Sequence, residues 1–295
     1  MPLWRQLIGL AVVARPLVLT SCLVAYAVGL AWSYRERGSI AWDQAALGLS
    51  VTLLANIMAH FVDEYADMDT DAITQRTWFS GGSGFLPSGQ VPPGWALRAG
   101  LICGVLTLIV CGAGIAKGML PWSALWVAVI GLIGGWIYSM PPLALERHGF
   151  GEIDNALLGG ILMPLMAYLS QGNPLRPTTL IALVPVVASV LVCVISVHWA
   201  DRVADAAVGK YTLAVIFKQR TRIFHHGSVL LTYGGLLVVA AAGLIEWKAA
   251  LTALLTLPLG LYATITFGKH DQSPASVLTM GAVMVALIVG NVLVR

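Results

Sequence analysis

The stretch VTLLANIMAHFVDEYADMDTD, residues 51–71, begins apolar and then delivers five acids in nine residues: Asp63, Glu64, Asp67, Asp69 and Asp71. Its apolar part reaches back to Ala41, so residues 41–62 match the roughly 20 residues that cross a bilayer core as a helix. Asn56, His60, Asp63 and Asp67 follow one another at +4, +3 and +4. That spacing puts them on one helical face. The helix therefore ends in a polar, acidic stripe that starts at membrane depth. Ionisable groups there are costly, and they mark a functional site by default.

The rest of the chain extends this reading. Of 295 residues 58% are hydrophobic and 11% charged, with a mean hydropathy of +0.83. Soluble domains are typically about 45–50% apolar and about 25% charged. Nine apolar stretches emerge, at 16–32, 41–62, 95–116, 120–138, 153–169, 178–199, 228–245, 249–267 and 275–294. Helices are expected, because a span must satisfy its own backbone hydrogen bonds. The alternating ten-residue strands of a β-barrel are not seen. The expected fold class is thus an all-α polytopic membrane protein with about nine transmembrane helices. Residues 1–295 form a single integral-membrane domain, with residues 1–15 read as the start of the first helix. Cys22, Cys103, Cys111 and Cys193 lie in apolar segments without metal-site spacing and read as small core residues. The net charge of +3 gives no reason to expect a nucleic-acid partner.

Charge asymmetry sets an orientation. With the N-terminus inside, the inner segments hold eleven of the seventeen Lys and Arg residues and the outer ones six. Excess Lys and Arg marks the cytoplasmic side. The expected location is therefore a prokaryotic inner or plasma membrane, with the N-terminus and the site facing the cytoplasm.

On that side lie ten of the fourteen acids, among them Glu146, Glu152 and Asp154 after the fourth span. His198, Asp201 and Asp205, at +3 and +4, form a second stripe at the end of the sixth. Like charges this close repel unless a cation lies between them. Mg²⁺ is typically held by one or two carboxylates plus substrate phosphates. Two DxxxD faces across a cavity, Asp63 with Asp67 and Asp201 with Asp205, suit a Mg²⁺–diphosphate. Lys210 follows the second pair and can meet a phosphate oxygen. The SGGSG segment at residues 80–84 offers turns whose N–H groups face an anion. The prolines of Tyr138-Ser139-Met140-Pro141-Pro142 stop the fourth helix.

These residues together resemble the UbiA superfamily of intramembrane prenyltransferases, most of all the branch that prenylates dihydroxynaphthoate for menaquinone. The resemblance rests on Arg15-Pro16, on Asn56 with Asp63, Asp67 and Asp69, and on Tyr138 to Pro142 with Gly149-Phe150-Gly151-Glu152. It continues through Asp201 and Asp205 to Gly209-Lys210-Tyr211-Thr212. It implies that the helices bundle around a central cavity open to lipid, and transfer of a polyprenyl group from its diphosphate to a small aromatic acceptor with Mg²⁺ as cofactor. It further implies that Asn56, Asp63, Asp67, Asp201 and Asp205 form the metal–diphosphate site. Lys210, Arg15 and Arg76 would neutralise the leaving group, and Tyr138 would lie near the cavity. Trp136, Tyr168 and Trp199 are further candidates for its aromatic wall. In two places the chain departs from the family pattern: His60 replaces an aspartate and His198 a common asparagine. Two readings of His60 stand: it contacts the diphosphate or a metal-bound water, or it makes an interhelical hydrogen bond with no catalytic part. A terpene cyclase of the same superfamily and a cation- or proton-coupled transporter are the rival readings. Transport sites lie near mid-membrane, whereas these acids gather at one face.

Overall fold

Proline and glycine set the breaks between helices. In the computed structural model, which describes residues 3–76, 81–269 and 274–293, the first break comes at Arg15. Its left-handed backbone (φ 51°) and Pro16 separate α1 (Leu3–Val13) from α2 (Pro16–Arg37). Proline lacks an N–H and keeps its predecessor out of the helical region. The N-terminal segment is therefore a helix of its own, not the start of the first span. Trp4, Leu7, Ile8 and Val12 are exposed on α1 while Val13 is fully buried. That pattern suits a helix lying at a membrane interface.

The chain continues with α3 (Trp42–Ala66), the short α4 (Met68–Asp71), α5 (Pro93–Ala116) and α6 (Trp122–Ser139). The fifth span is α7 (Gly151–Leu157), a π-helical turn at Leu158–Leu162 and α8 (Met163–Ser170). Pro164, which cannot donate to the residue four before it, explains the widened turn just ahead of it. After α9 (Pro177–Ala182) come α10 (Val184–Ala207), α11 (Leu213–Phe217), α12 (Thr221–Ala241), α13 (Trp247–Leu254), α14 (Leu257–Thr266) and α15 (Pro274–Val292).

Among the described residues eight helical segments are long and apolar enough to cross a membrane. The expected eighth span is the bent pair α13 and α14, at 42°, which makes nine if it counts as one. Pro258 lies in the first turn of α14, and the Tyr233 hydroxyl donates to the Thr256 carbonyl at the bend, at 2.9 Å. The sixth span runs on to Ala207, beyond the expected end at Trp199, because Asp201 and Asp205 extend the helix past the apolar run.

Two apolar cores flank the centre. One joins α2, α10, α12, α13 and α15 through Val28, Val186, Tyr233 and Met284. The other joins α2, α3, α6 and α8 through Tyr26, Val51, Val127 and Tyr168. Between them the helices leave a cavity of about 310 Å³. Outward-facing Leu101, Ile102, Val105 and Ile109 of α5, with Leu230 and Val238 of α12, are exposed, as lipid-facing residues are.

Candidate active site

The cavity has a polar mouth and an apolar wall. Asn56, His60, Asp63 and Asp67 face it from the end of α3, as their spacing requires, and His198, Asp201 and Asp205 face it from α10. Arg15, Asp71, Tyr138, Glu146 and Lys210 complete the mouth, while Val18, Val190, Val194, Val277, Met280 and Met284 belong to the wall. Both predicted acidic pairs thus line one space.

Their closest partners differ from the expected ones. Oxygens of Asp63, Asp67 and Glu146 lie within 4.8 Å of one another, and neither Asp201 nor Asp205 joins this group. Glu146 is fully buried in the turn after α6. Gly151 lets it be there, since a Cβ on that glycine would stand 2.7 Å from the Glu146 Cα. Lys210 reaches the same point from the loop after α10. Its Nζ lies 2.5 Å from both Asp67 Oδ2 and Glu146 Oε2. The two loops are tied by the Tyr211 N–H donating to the Arg147 carbonyl at 3.3 Å. Burial pushes the Glu146 carboxyl well above its ordinary range, and the charge of Asp67 adds to this against the pull of Lys210. For Lys210, burial favours the neutral amine, but Glu146 and Asp67 outweigh it and hold the ammonium above the usual lysine value.

Arg15 closes the other side of the mouth. It lies 3.0 Å from Asp63 and donates through Nε to Glu64 at 2.6 Å. Glu64, fully buried, also accepts from the Ser83 N–H and hydroxyl at 2.6 Å each. The loop that carries Gly81 and Gly82 is thereby anchored over the cavity. Asp71 abuts Gly82, and burial pushes its carboxyl up to about 8. Of the expected 80–84 segment, Ser80 lies outside the described residues.

Two expectations about residue roles are corrected. Arg76 is exposed and does not line the cavity; its guanidinium packs against Gly84, beside the loop and not inside it. Of the aromatic candidates only Tyr138 reaches the lining. Tyr168 packs on Trp32 and donates to Glu36, Trp199 packs on Phe267, and both point into helix contacts. Glu146, Glu152 and Asp71 carry more of the site than their sequence positions suggest. His198 and Tyr138 meet beside it, Nε2 to hydroxyl at 3.3 Å, and Glu152 lies 2.8 Å from Nδ1 of the same ring.

The residues present fit a divalent cation. Among the described residues that line the cavity, Asp63, Asp67, Asp71, Glu146, Asp201 and Asp205 face two permanent cations, Arg15 and Lys210. Asp67 Oδ1, Glu146 Oε1 and His60 Nε2 are buried without a hydrogen-bond partner. Hard carboxylate oxygens left over in a cluster are what Mg²⁺ takes.

The fold and the sequence both have known relatives. A curated relative, the 1,4-dihydroxy-2-naphthoate octaprenyltransferase of Bacillus subtilis, is 24% identical over 167 residues. The match covers 54% of this chain and 52% of that protein, so it spans about half the length of the relative. A UbiA homologue from Archaeoglobus fulgidus, solved with DMAPP and Mg²⁺, superposes with a TM-score of 0.75 at 18% identity, over 96% of this chain and 97% of the other. A digeranylgeranylglyceryl phosphate synthase gives a TM-score of 0.69 at 17% identity, over 97% and 99%. The model of the UbiA prenyltransferase family matches residues 18–288. The chain therefore belongs to the UbiA prenyltransferase family.

Proposed function

We propose that this protein transfers a polyprenyl group from its diphosphate to a small aromatic acceptor of the dihydroxynaphthoate type. The observation that carries this is one cavity that joins a carboxylate-rich mouth to a long apolar wall. Such a cavity suits a ligand with a diphosphate head and a hydrocarbon tail. It is the chemistry of a prenyl diphosphate and of few other metabolites. The half-length match to the Bacillus relative supports a naphthoate acceptor.

Asp63, Asp67 and Glu146 would hold Mg²⁺, and Asp201 and Asp205, facing them from α10, would meet the diphosphate through bound metal. Mg²⁺ there would supply neutralisation of charge on the leaving diphosphate. Lys210 and Arg15 add fixed positive charge at the same end, in a buried setting that strengthens it. His60 Nε2, unpartnered and facing the cavity, is placed to donate to a diphosphate oxygen. Val190, Val194, Met280 and Met284 keep water from the allylic cation. The excess of Lys and Arg at this end supports a cytoplasmic mouth.

The test is incubation of purified protein in lipid nanodiscs with Mg²⁺, a polyprenyl diphosphate and a panel of aromatic acceptors that includes dihydroxynaphthoate, read by mass spectrometry. Prenylated acceptor is expected, and none without Mg²⁺. A cyclised or hydrolysed donor with no adduct to any acceptor would overturn the proposal.

A further inference from the structure

Glu152, His198 and Tyr138 come from three spans and meet at the cavity wall. Glu152 is fully buried and opens α7. Its Oε1 accepts the Leu213 N–H at 2.9 Å, so this oxygen is fixed as an acceptor. The contact to His198 Nδ1 at 2.8 Å must then have the ring donating. The proton is then on Nδ1, and in the neutral ring Nε2 carries a lone pair. Nε2 then accepts from the Tyr138 hydroxyl at a long 3.3 Å, and both residues line the cavity. A buried carboxylate behind a histidine that lines a ligand space is the arrangement of a general base, and the long Tyr138 contact is one that an acceptor hydroxyl could replace. Next in the chain, the Ser139 hydroxyl donates to Asp63 Oδ1 at 2.9 Å. The proton-accepting corner thus adjoins the diphosphate corner, where the electrophile would form. Asp205 and Lys210 are the other charged groups near the ring.

We propose that His198 Nε2 is the base that takes the hydroxyl proton of the aromatic acceptor, with Glu152 positioning the ring and stabilising its cation. This deepens the prenyl-transfer reading and rests on it. The C1–oxygen bond of the donor breaks, and its electron pair leaves with the diphosphate. The acceptor O–H proton passes to Nε2, while a ring carbon conjugated with that oxygen supplies the pair for the new carbon–carbon bond. The ketone so formed loses the proton on its alkylated carbon and regains one on oxygen. One net proton leaves through His198.

The experiment compares wild type, His198→Gln and Glu152→Gln in nanodiscs. The donor is Mg²⁺–geranyl diphosphate, and the acceptors are hydroxynaphthalenes substituted to span a range of hydroxyl acidity. General bases contribute about 100-fold or more, so H198Q is expected to lose about that in kcat with weakly acidic acceptors. E152Q keeps the acceptor oxygen for Leu213 and loses about 10-fold. Both losses should shrink to a few-fold for acceptors already ionised at the assay pH, since no proton then needs removal. Donor affinity, measured by calorimetry, should stay within about 2-fold, because neither residue belongs to the carboxylate cluster. Equal losses across all acceptors, or no loss, would overturn the assignment. If wild type prenylates none of them, the reading beneath it has failed as well, and that outcome is seen before any variant is compared.

Discussion

With its Nζ at 2.5 Å from both Asp67 and Glu146, Lys210 occupies the place between carboxylates that a divalent cation would take. A metal held by the same carboxylates would compete with its ammonium, and the diphosphate is the anion it would then turn to. Lys210→Met should therefore have opposite effects on two measurements. Turnover should fall by about 100- to 1,000-fold, the usual loss for one donor to developing negative charge. Mg²⁺ affinity, measured by calorimetry without donor, should rise, because the competing ammonium is gone. A fall in both would mean that Lys210 supports the metal site and does not compete for it. Asp71 gives a second prediction at this scale. Burial raises its carboxyl to about 8, far above the range of an unfolded aspartate. Between those values the unfolded chain has released a proton that the folded chain retains, so stability falls as pH rises toward 8. Asp71→Asn removes the titrating group. It should raise the melting temperature at neutral pH and flatten its decline between pH 5 and pH 8; a variant with the wild-type pH slope would show that Asp71 titrates normally.

The helices were more legible than the contacts between their ends. Hydropathy placed nine spans because each is a run of apolar residues, and +3/+4 spacing put Asp63 with Asp67 and Asp201 with Asp205 on cavity faces, all of it local information. Glu146 lies on a turn, where no helical period applies, and its approach to Asp67 depends on how two loops pack. Glu152 was visible as an acid after Gly151, but its partner His198 is 46 residues away. The separate α1 was missed because Arg15 takes a left-handed backbone, which arginine rarely does. Helix packing also explains glycines that carry no chemistry. At Gly160, in the π-helical turn, a Cβ would stand 2.6 Å from the Val187 Cα on α10, so only glycine lets these spans touch. Gly160→Ala should destabilise by about 1–3 kcal/mol, the range for overpacking. Gly112, inside α5, has nothing within 4 Å of such a Cβ, and Gly112→Ala should stabilise by about 0.5–1 kcal/mol. Thermal unfolding of both in the same detergent checks the contrast; equal shifts would mean that Val187 yields without cost.

Across the whole molecule, the site stands against stability. The ends of α3 and α10 and the loops after α3, α6 and α10 bring six carboxylates to one mouth, and among the described residues two permanent cations, Arg15 and Lys210, line it with them. Metal-free protein holds this excess apart only by packing, by Arg15 and Lys210, and by the proton that burial favours on Glu146. A ligand that binds the folded state alone stabilises it by RT ln(1 + [L]/Kd), about 2.7 kcal/mol at a hundredfold excess over Kd. Mg²⁺ alone should therefore raise the melting temperature, because it relieves the repulsion directly. Diphosphate alone should do little, since it adds negative charge to an already acidic mouth. The two together should exceed Mg²⁺ alone, as each supplies the counter-charge the other lacks, and a chelator should reverse the gain. Glu146→Gln removes one carboxylate from the cluster, so it should raise the metal-free melting temperature while reducing the Mg²⁺-dependent rise. The measurement is a set of melting curves for both proteins with Mg²⁺, inorganic diphosphate, both and neither. A wild-type response to diphosphate alone as large as to the pair would show that Arg15 and Lys210 bind the anion without metal, and the three-carboxylate cluster would lose its assigned role.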